Sequence, residues 1–178
     1  RVTHWEYDAN NRVAARVLPN GQRESFTYDA LGNVLSHTDF AGKTSQYAYN
    51  SLNQPIQTRR PDGALIGIAY TPNGLIDSIS VTAGAGSGLQ NGKTQYQYDA
   101  QDRLTRQSNP DNGFLAWGYD KEGNIVQRST PAGTVSYTYD GNNRLTGVID
   151  STGATAYHYN PSGQADVVSL PNGTVAND

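Results

Sequence analysis

The sequence contains no cysteine and no methionine. Without a thiol there is neither a disulfide nor a thiolate metal site, so a small cross-linked scaffold is excluded while the compartment stays open. No apolar run approaches the ~20 residues a helix needs to cross a bilayer. Charge is sparse: 13 Lys and Arg stand against 16 Asp and Glu, for a net charge of -3 and no basic block. Non-specific nucleic-acid binding and electrostatic membrane anchoring therefore have little to act through. Hydrophobic residues make up only 35% of the chain, and the mean hydropathy is -0.66. Such polarity can signal disorder. Here the aromatic residues recur at regular positions, which a disordered chain has no reason to maintain.

That recurrence organises the chain. A tyrosine returns at Tyr7, Tyr28, Tyr49, Tyr70, Tyr98, Tyr119, Tyr139 and Tyr159, at spacings of 21, 21, 21, 28, 21, 20 and 20 residues. Two positions before each lies a second large apolar residue: Trp5, Phe26, Tyr47, Ile68, Tyr96, Trp117, Tyr137 and Tyr157. The two columns hold all 12 tyrosines and both tryptophans, so the aromatics belong to a repeat rather than to a conventional core. A fixed period of this size marks an array of stacked units, and residues 1–178 read as one array of eight copies.

Each copy reads as a β-hairpin. The paired apolar residues sit two apart, with Glu6, Thr27, Ala48, Ala69, Gln97, Gly118, Thr138 or His158 between them. This is the alternation of a strand with one apolar face. An Asp or its substitute follows, and four residues after the tyrosine comes Asn11, Gly32, Asn53, Gly74, Asp102, Gly123, Asn143 or Gly163. All tolerate the left-handed backbone of a type I turn followed by a bulge. An apolar column then reopens a strand at Val13, Val34, Pro55, Ile76, Leu104, Ile125, Leu145 and Ala165. Second turns are expected at Asn20-Gly21, Ala41-Gly42, Asp62-Gly63, Asn112-Gly113, Ala132-Gly133, Thr152-Gly153 and Asn172-Gly173. The expected fold is all-β, a meander of some sixteen strands of about six or seven residues each. Aromatics of successive copies are expected to form a continuous ladder, since one hairpin alone buries too little to fold. Polar residues in the second strands, among them Arg16, His37, Thr58, Gln107 and Arg128, point to a thin wall rather than a two-sheet sandwich.

The pattern breaks at the fourth copy, where Thr71-Pro72-Asn73-Gly74 replaces the Asp turn and a Gly-rich stretch, 82–95, reads as an insertion loop. Both ends fall in mid-pattern, so a longer array is expected, with its open edges free to self-associate. No leader is recognisable, and the chain opens at Arg1; export information is expected outside it.

Phe26-Thr-Tyr28-Asp29-Ala-Leu-Gly32-Asn-Val34 and Tyr96-Gln-Tyr98-Asp99-Ala-Gln-Asp-Arg-Leu104 resemble the YD repeat of the Rhs (rearrangement hotspot) family. That family includes bacterial Rhs toxins, insecticidal toxin-complex C subunits and teneurins. Departures occur at Tyr49-Asn50, at Tyr159-Asn160 and in the fourth copy. The resemblance implies a curved, spiralling sheet that forms part of a hollow shell. In bacterial members that shell encloses a C-terminal toxin within an exported protein. The family's Asp-Pro-x-Gly core segment, which supports self-cleavage, has no counterpart in this sequence. No protease or toxin activity therefore carries over, and the expected role is non-catalytic. The expected partners are the rest of the shell and a polypeptide cargo. Strand parity defines two faces and leaves open which is concave.

Chemistry at individual residues offers little else. His4, His37 and His158 occupy three different repeat positions, which implies no shared site. Asp8, Asp29, Asp99, Asp120 and Asp140 are accounted for by turn capping. The nearest approach to a calcium loop, Asp120-Lys-Glu122-Gly123-Asn124, lacks the full oxygen set. No cofactor or metal is expected. The structural motif expected to carry the role comprises the eight tyrosines, the aromatic residues two places before them (Trp5, Phe26, Tyr47, Tyr96, Trp117, Tyr137 and Tyr157), the five aspartates, and Gly32, Gly74, Gly123 and Gly163. A rival reading is that the aromatic columns bind carbohydrate, as in a wall-associated adhesion module.

Overall fold

A computed structural model describes residues 2–173, 175 and 176. The chain splits into two units, Arg1–Thr94 and Gln95–Asp178. The first contains β1 (His4–Tyr7), β2 (Val13–Val17), β3 (Arg23–Tyr28), β4 (Val34–Thr38), β5 (Thr44–Tyr49), β6 (Pro55–Arg59), β7 (Leu65–Tyr70) and β8 (Ile76–Thr82). The second contains β10 (Leu104–Ser108), β11 (Phe114–Tyr119), β12 (Ile125–Thr130), β13 (Gly133–Tyr139), β14 (Leu145–Asp150), β15 (Gly153–Tyr159), β16 (Ala165–Ser169) and β17 (Val175–Ala176). Strand β9 (Gly92–Tyr98) straddles the division and pairs with β10 through residues of the second unit. Each unit is a meander in which consecutive strands pair antiparallel. Hairpins of this kind need only short turns between neighbours.

Tyrosines 7, 28, 49, 70, 98, 119, 139 and 159 each end a strand, and each residue of the apolar column opens the next. All eight residues four places after the tyrosine have positive φ, from 60° at Asn11 to 94° at Gly123. The turns close as a type I turn with a bulge requires: in the first, the Asp8 N–H donates to Arg12 O and the Asn11 N–H to Asp8 O. The register slips by one residue where the tyrosine faces the strand opener, as between Glu6 and Tyr7 opposite Ala15 and Val13. The slip recurs at Tyr28, Tyr49, Tyr119, Tyr139 and Tyr159. It puts the tyrosine and its strand's other anchor on one face despite the turn's extra residue.

Several details differ from the sequence pattern. Most second strands are five residues long, because turn residues claim more of each copy than the alternation suggests. At Asn112-Gly113 the left-handed residue is Asn112, with φ 64°; the Asn109 N–H bonds to Gly113 O and so counts the loop from Asn109. Thr130 faces Gly133 directly and Asp150 faces Gly153, each across a two-residue turn. These shorter turns account for the two 20-residue spacings.

No large side chain is fully buried among the described residues. The buried positions are Ala15, Ala64 and Ser78, so each unit is a single-layer sheet with two accessible faces.

Residues 83–91, between β8 and β9, are ordered by local bonds. The Ala83 N–H donates to Asn91 Oδ1 at 2.6 Å and the Ser87 N–H to Gly84 O at 3.1 Å. Gly84 lies against the turn between β6 and β7, where a Cβ would collide with the Asp62 carbonyl and the Ala64 nitrogen. The insertion loop expected at 82–95 is thus shorter, because Thr82 ends β8 and Gly92 opens β9, and it is seated on the sheet's own turn.

Candidate functional site

The distinctive chemistry of the chain is a fastening repeated from copy to copy. It begins with the aspartate of the first turn. Asp8 Oδ1 accepts N–H bonds from Asn10 and Arg12, both at 2.9 Å. Asp29 receives Leu31 and Asn33 in the same way, Asp99 receives Gln101 and Arg103, and Asp140 receives Asn142 and Arg144. Asn50 accepts from Leu52 and Gln54 through its amide oxygen, Asn160 from Gln164, and the Thr71 hydroxyl from Leu75. The side-chain oxygen stands in for a backbone carbonyl that the turn has directed elsewhere.

These bonds favour the ionised carboxylate. Asp8 and Asp140 are held below the ordinary aspartate range, first by the N–H groups of Arg12 and Arg144. For Asp29 the side-chain amide of Asn33 is the leading cause. Partial desolvation pushes Asp99 and Asp120 upward, and the hydrogen bonds from Arg103 and Asn124 outweigh it.

The key tyrosines reach backwards. The Tyr28 hydroxyl donates to Val13 O at 2.7 Å, Tyr49 to Val34 O at 3.1 Å, and Tyr70 to Pro55 O at 2.8 Å. In the second unit Tyr119 donates to Leu104 O, Tyr139 to Ile125 O and Tyr159 to Leu145 O, at 2.8 to 2.9 Å. Each acceptor opens the second strand of the preceding copy, beside the bulge where the ladder is interrupted.

A third residue reaches forwards. The Arg12 Nε–H bonds to Asp8 Oδ2 at 2.7 Å, while its Nη1–H crosses to Asp29 O at 2.9 Å. Its guanidinium lies 4.6 Å from the Tyr28 ring centroid. Arg103 repeats the pattern with Asp99, Asp120 O and the Tyr119 ring. Arg144 pairs with Asp140 and covers Tyr159. Where the column holds asparagine, Asn33 links Asp29 to Asn53 and Asn124 links Asp120 to Asn143. Asn53 and Asn143 are the left-handed turn residues of the following copies.

The inner aromatic column lies on the same face, opposite the column that looked irregular in the sequence. Trp5 faces Arg16, Phe26 faces His37, Tyr47 faces Thr58, Tyr96 faces Gln107, Trp117 faces Arg128, Tyr137 faces Val148 and Tyr157 faces Val168. Those polar residues are cross-strand partners of rings, and two of them, Arg16 and His37, make cation–π or stacking contacts with theirs. Arg16 lies 5.4 Å from the Trp5 ring, and His37 stacks on Phe26 at 4.7 Å. Phe26–His37 is the only ring-on-ring stack among the described residues. The expected ladder of mutually stacked aromatics is therefore corrected: hydroxyl-to-carbonyl bonds and guanidinium lids join the rungs.

The histidines stay apart. His37 Nε2 meets Glu24 at 2.9 Å, and His158 Nδ1 meets Asp166 at 2.7 Å; His4 lies in β1. In the sequence that came nearest to a calcium loop, Asp120 spends both carboxylate oxygens on Asn124. Gly32, Gly74, Gly123 and Gly163 all serve as left-handed turn residues. Sequence reasoning missed the tyrosine hydroxyl bonds and the clamp column of Arg12, Asn33, Arg103, Asn124 and Arg144, joined by Gln54, whose side-chain N–H donates to Gly74 O at 3.3 Å. The visible signal was that only Leu75 in this column lacks a hydrogen-bonding side chain.

The teneurin YD-shell family model matches residues 1–177. Among curated proteins, the chain is 29% identical over 168 residues to the tRNA3(Ser)-specific nuclease WapA of Bacillus spizizenii, covering 89% of this chain and 6% of that protein. It is 27% identical over 148 residues to the probable deoxyribonuclease RhsB of Dickeya dadantii, covering 71% of this chain and 10% of that one. A TcdB2-TccC3 crystal structure superposes with a TM-score of 0.64 at 13% identity, over 93% of this chain and 10% of its own.

Proposed function

Because the chain belongs to the teneurin YD-shell family, we propose that it is a non-catalytic stretch of wall in an exported protein whose shell encloses a polypeptide cargo. One observation carries this reading. Each unit is a single-layer sheet without a large buried side chain, held together by fastenings that recur from copy to copy. Such construction extends a surface and builds no enclosed pocket for catalysis. The five aspartates that follow the key tyrosines are occupied within their own turns. The chain spans 6% to 10% of the length of the two curated relatives. The nuclease activities in those proteins' names belong to whole molecules in which it corresponds to a small part.

Native proteolysis of the complete protein tests the reading. A segment outside these repeats should resist protease until the wall is opened by denaturant, then be digested at once. Equal digestion before and after opening would overturn it.

Carbohydrate binding is the rival, and Trp5 and Tyr7, 45% and 57% exposed, give it a foothold. Guanidinium lids occupy faces of Tyr28, Tyr119 and Tyr159 that a sugar would need. Titration with oligosaccharides should leave the tryptophan and tyrosine fluorescence unchanged; a saturable change would favour adhesion.

A further inference from the structure

The face of the first unit opposite the aromatic columns carries a trough with no part in the fastening. A cross-strand row runs Thr27, Ser36, Gln46, Arg59 across β3 to β6. With Gln57 and Leu35, these residues line a cavity of about 390 Å³. The Thr27 and Ser36 hydroxyls bond each other at 2.6 Å. The side chains of Gln46, Gln57 and Arg59 have no hydrogen-bond or ion-pair partner among the described residues. No carboxylate lines the trough, and the neighbouring Arg60 is already paired with Asp62 at 3.4 Å.

Two free primary amides and a free guanidinium thus converge on one depression. Each amide offers two donors and an acceptor, the complement of a backbone N–H and C=O. The guanidinium fits a carboxylate with two parallel bonds. Strands lie about 4.8 Å apart, so the row spans roughly 14 Å, the length of about four extended residues. Tyr47 and Ala48 complete the lining, and Tyr47 pairs across the strands with Thr58 as part of the aromatic column.

We propose that this trough binds an extended stretch of polypeptide and seats one of its acidic side chains on Arg59. The choice of polypeptide rests on the enclosing-shell reading; the acidic chemistry rests on Arg59 alone.

Fluorescence anisotropy on the 178-residue chain, with a labelled Gly/Ser peptide carrying glutamates, tests the idea. The peptide should bind saturably. Replacing its glutamates by glutamine, or making Arg59→Gln, should each weaken binding about tenfold. Arg128→Gln, on the aromatic face, should leave it unchanged, with both variants keeping the wild-type circular dichroism. Absence of saturable binding, equal affinity of the glutamine peptide, or an Arg59→Gln protein that binds like wild type would each overturn the proposal. So would an oligogalacturonate that displaced the peptide at lower concentration, since the occupant would then be an acidic carbohydrate. If the trough fails while the complete Arg59→Gln protein still shields its protected segment from protease, only the trough proposal falls.

Discussion

The Tyr119 hydroxyl donates to the carbonyl of Leu104 at 2.8 Å, from the end of one strand to the opening residue of its neighbour. The same bond joins Tyr28 to Val13 and Tyr159 to Leu145. It turns the most recurrent residue of the chain from a packing group into a cross-link between copies. The bond falls where the bulge has broken the ladder, so the tyrosine supplies a donor at the weakest point of the sheet.

Removing that hydroxyl isolates its contribution. Tyr119→Phe should lower unfolding stability by about 1 kcal/mol, the net worth of one such bond, with the ring and its Arg103 lid retained. Tyr7→Phe is the control, because no bond from that hydroxyl is seen among the described residues. Urea melts that find both variants equally stable would remove the cross-linking role.

The capping aspartates set the response to acid. Asp8, Asp29, Asp99, Asp120 and Asp140 all titrate below their unfolded value of 3.8. The unfolded chain therefore binds protons first as pH falls, so the stability they contribute is complete above about pH 5 and drains away below about pH 4. Urea midpoints measured from pH 6 to pH 3 should be level and then fall. Asp29→Asn should flatten part of the fall, since Asn50 and Asn160 already cap the equivalent turns. A midpoint that rises toward pH 3 would contradict the capping account.

Gly123 isolates the backbone requirement of the first turn. Its φ is 94°, and a Cβ there would meet no atom within 4 Å. Any cost of substitution is thus conformational. Gly123→Ala should cost about 1–2 kcal/mol and Gly123→Asn clearly less, because Asn11, Asn53 and Asn143 hold the same position at φ near 60°. Thermal melts ranking alanine above asparagine would refute this.

Gly84 probes the seat of the 83–91 loop. Gly84→Ala should expose the loop to proteolysis and speed its amide exchange while β1 to β5 keep their protection, because the added methyl meets the Asp62 carbonyl. Gly86→Asn, at φ 73° with open space around it, should change neither. Unaltered exchange in Gly84→Ala would show that the contact does not hold the loop.

Local chemistry made the hairpins legible. Aspartate followed within four residues by glycine, asparagine or aspartate encodes a turn whose bonds close inside a five-residue window, as from Asp29 to Asn33. Strand starts at Val34 and Leu104 and ends at Tyr28 and Tyr98 follow from the same window. The turn expected at Asn112-Gly113 is present, and of its two adjacent residues that tolerate positive φ it is Asn112 that adopts it. The choice of Asn112 depended on how β10 and β11 were paired. The expected ring ladder failed for a related reason: the spacing of aromatics places them on one face without specifying what each ring touches.

Period, strand order and the positions of both turn types were therefore inherent in the chain, because each rests on contacts between near neighbours. The folded sheet alone settled the hydroxyl bonds spanning fourteen or fifteen residues, such as Tyr139 to Ile125 and Tyr28 to Val13. It also settled the Arg12 reach to Asp29 and the convergence of Gln46, Gln57 and Arg59. The bonded partners belong to different copies, and Gln46 on β5 stands apart in sequence from Gln57 and Arg59 on β6, so only antiparallel pairing with its one-residue slip sets them side by side.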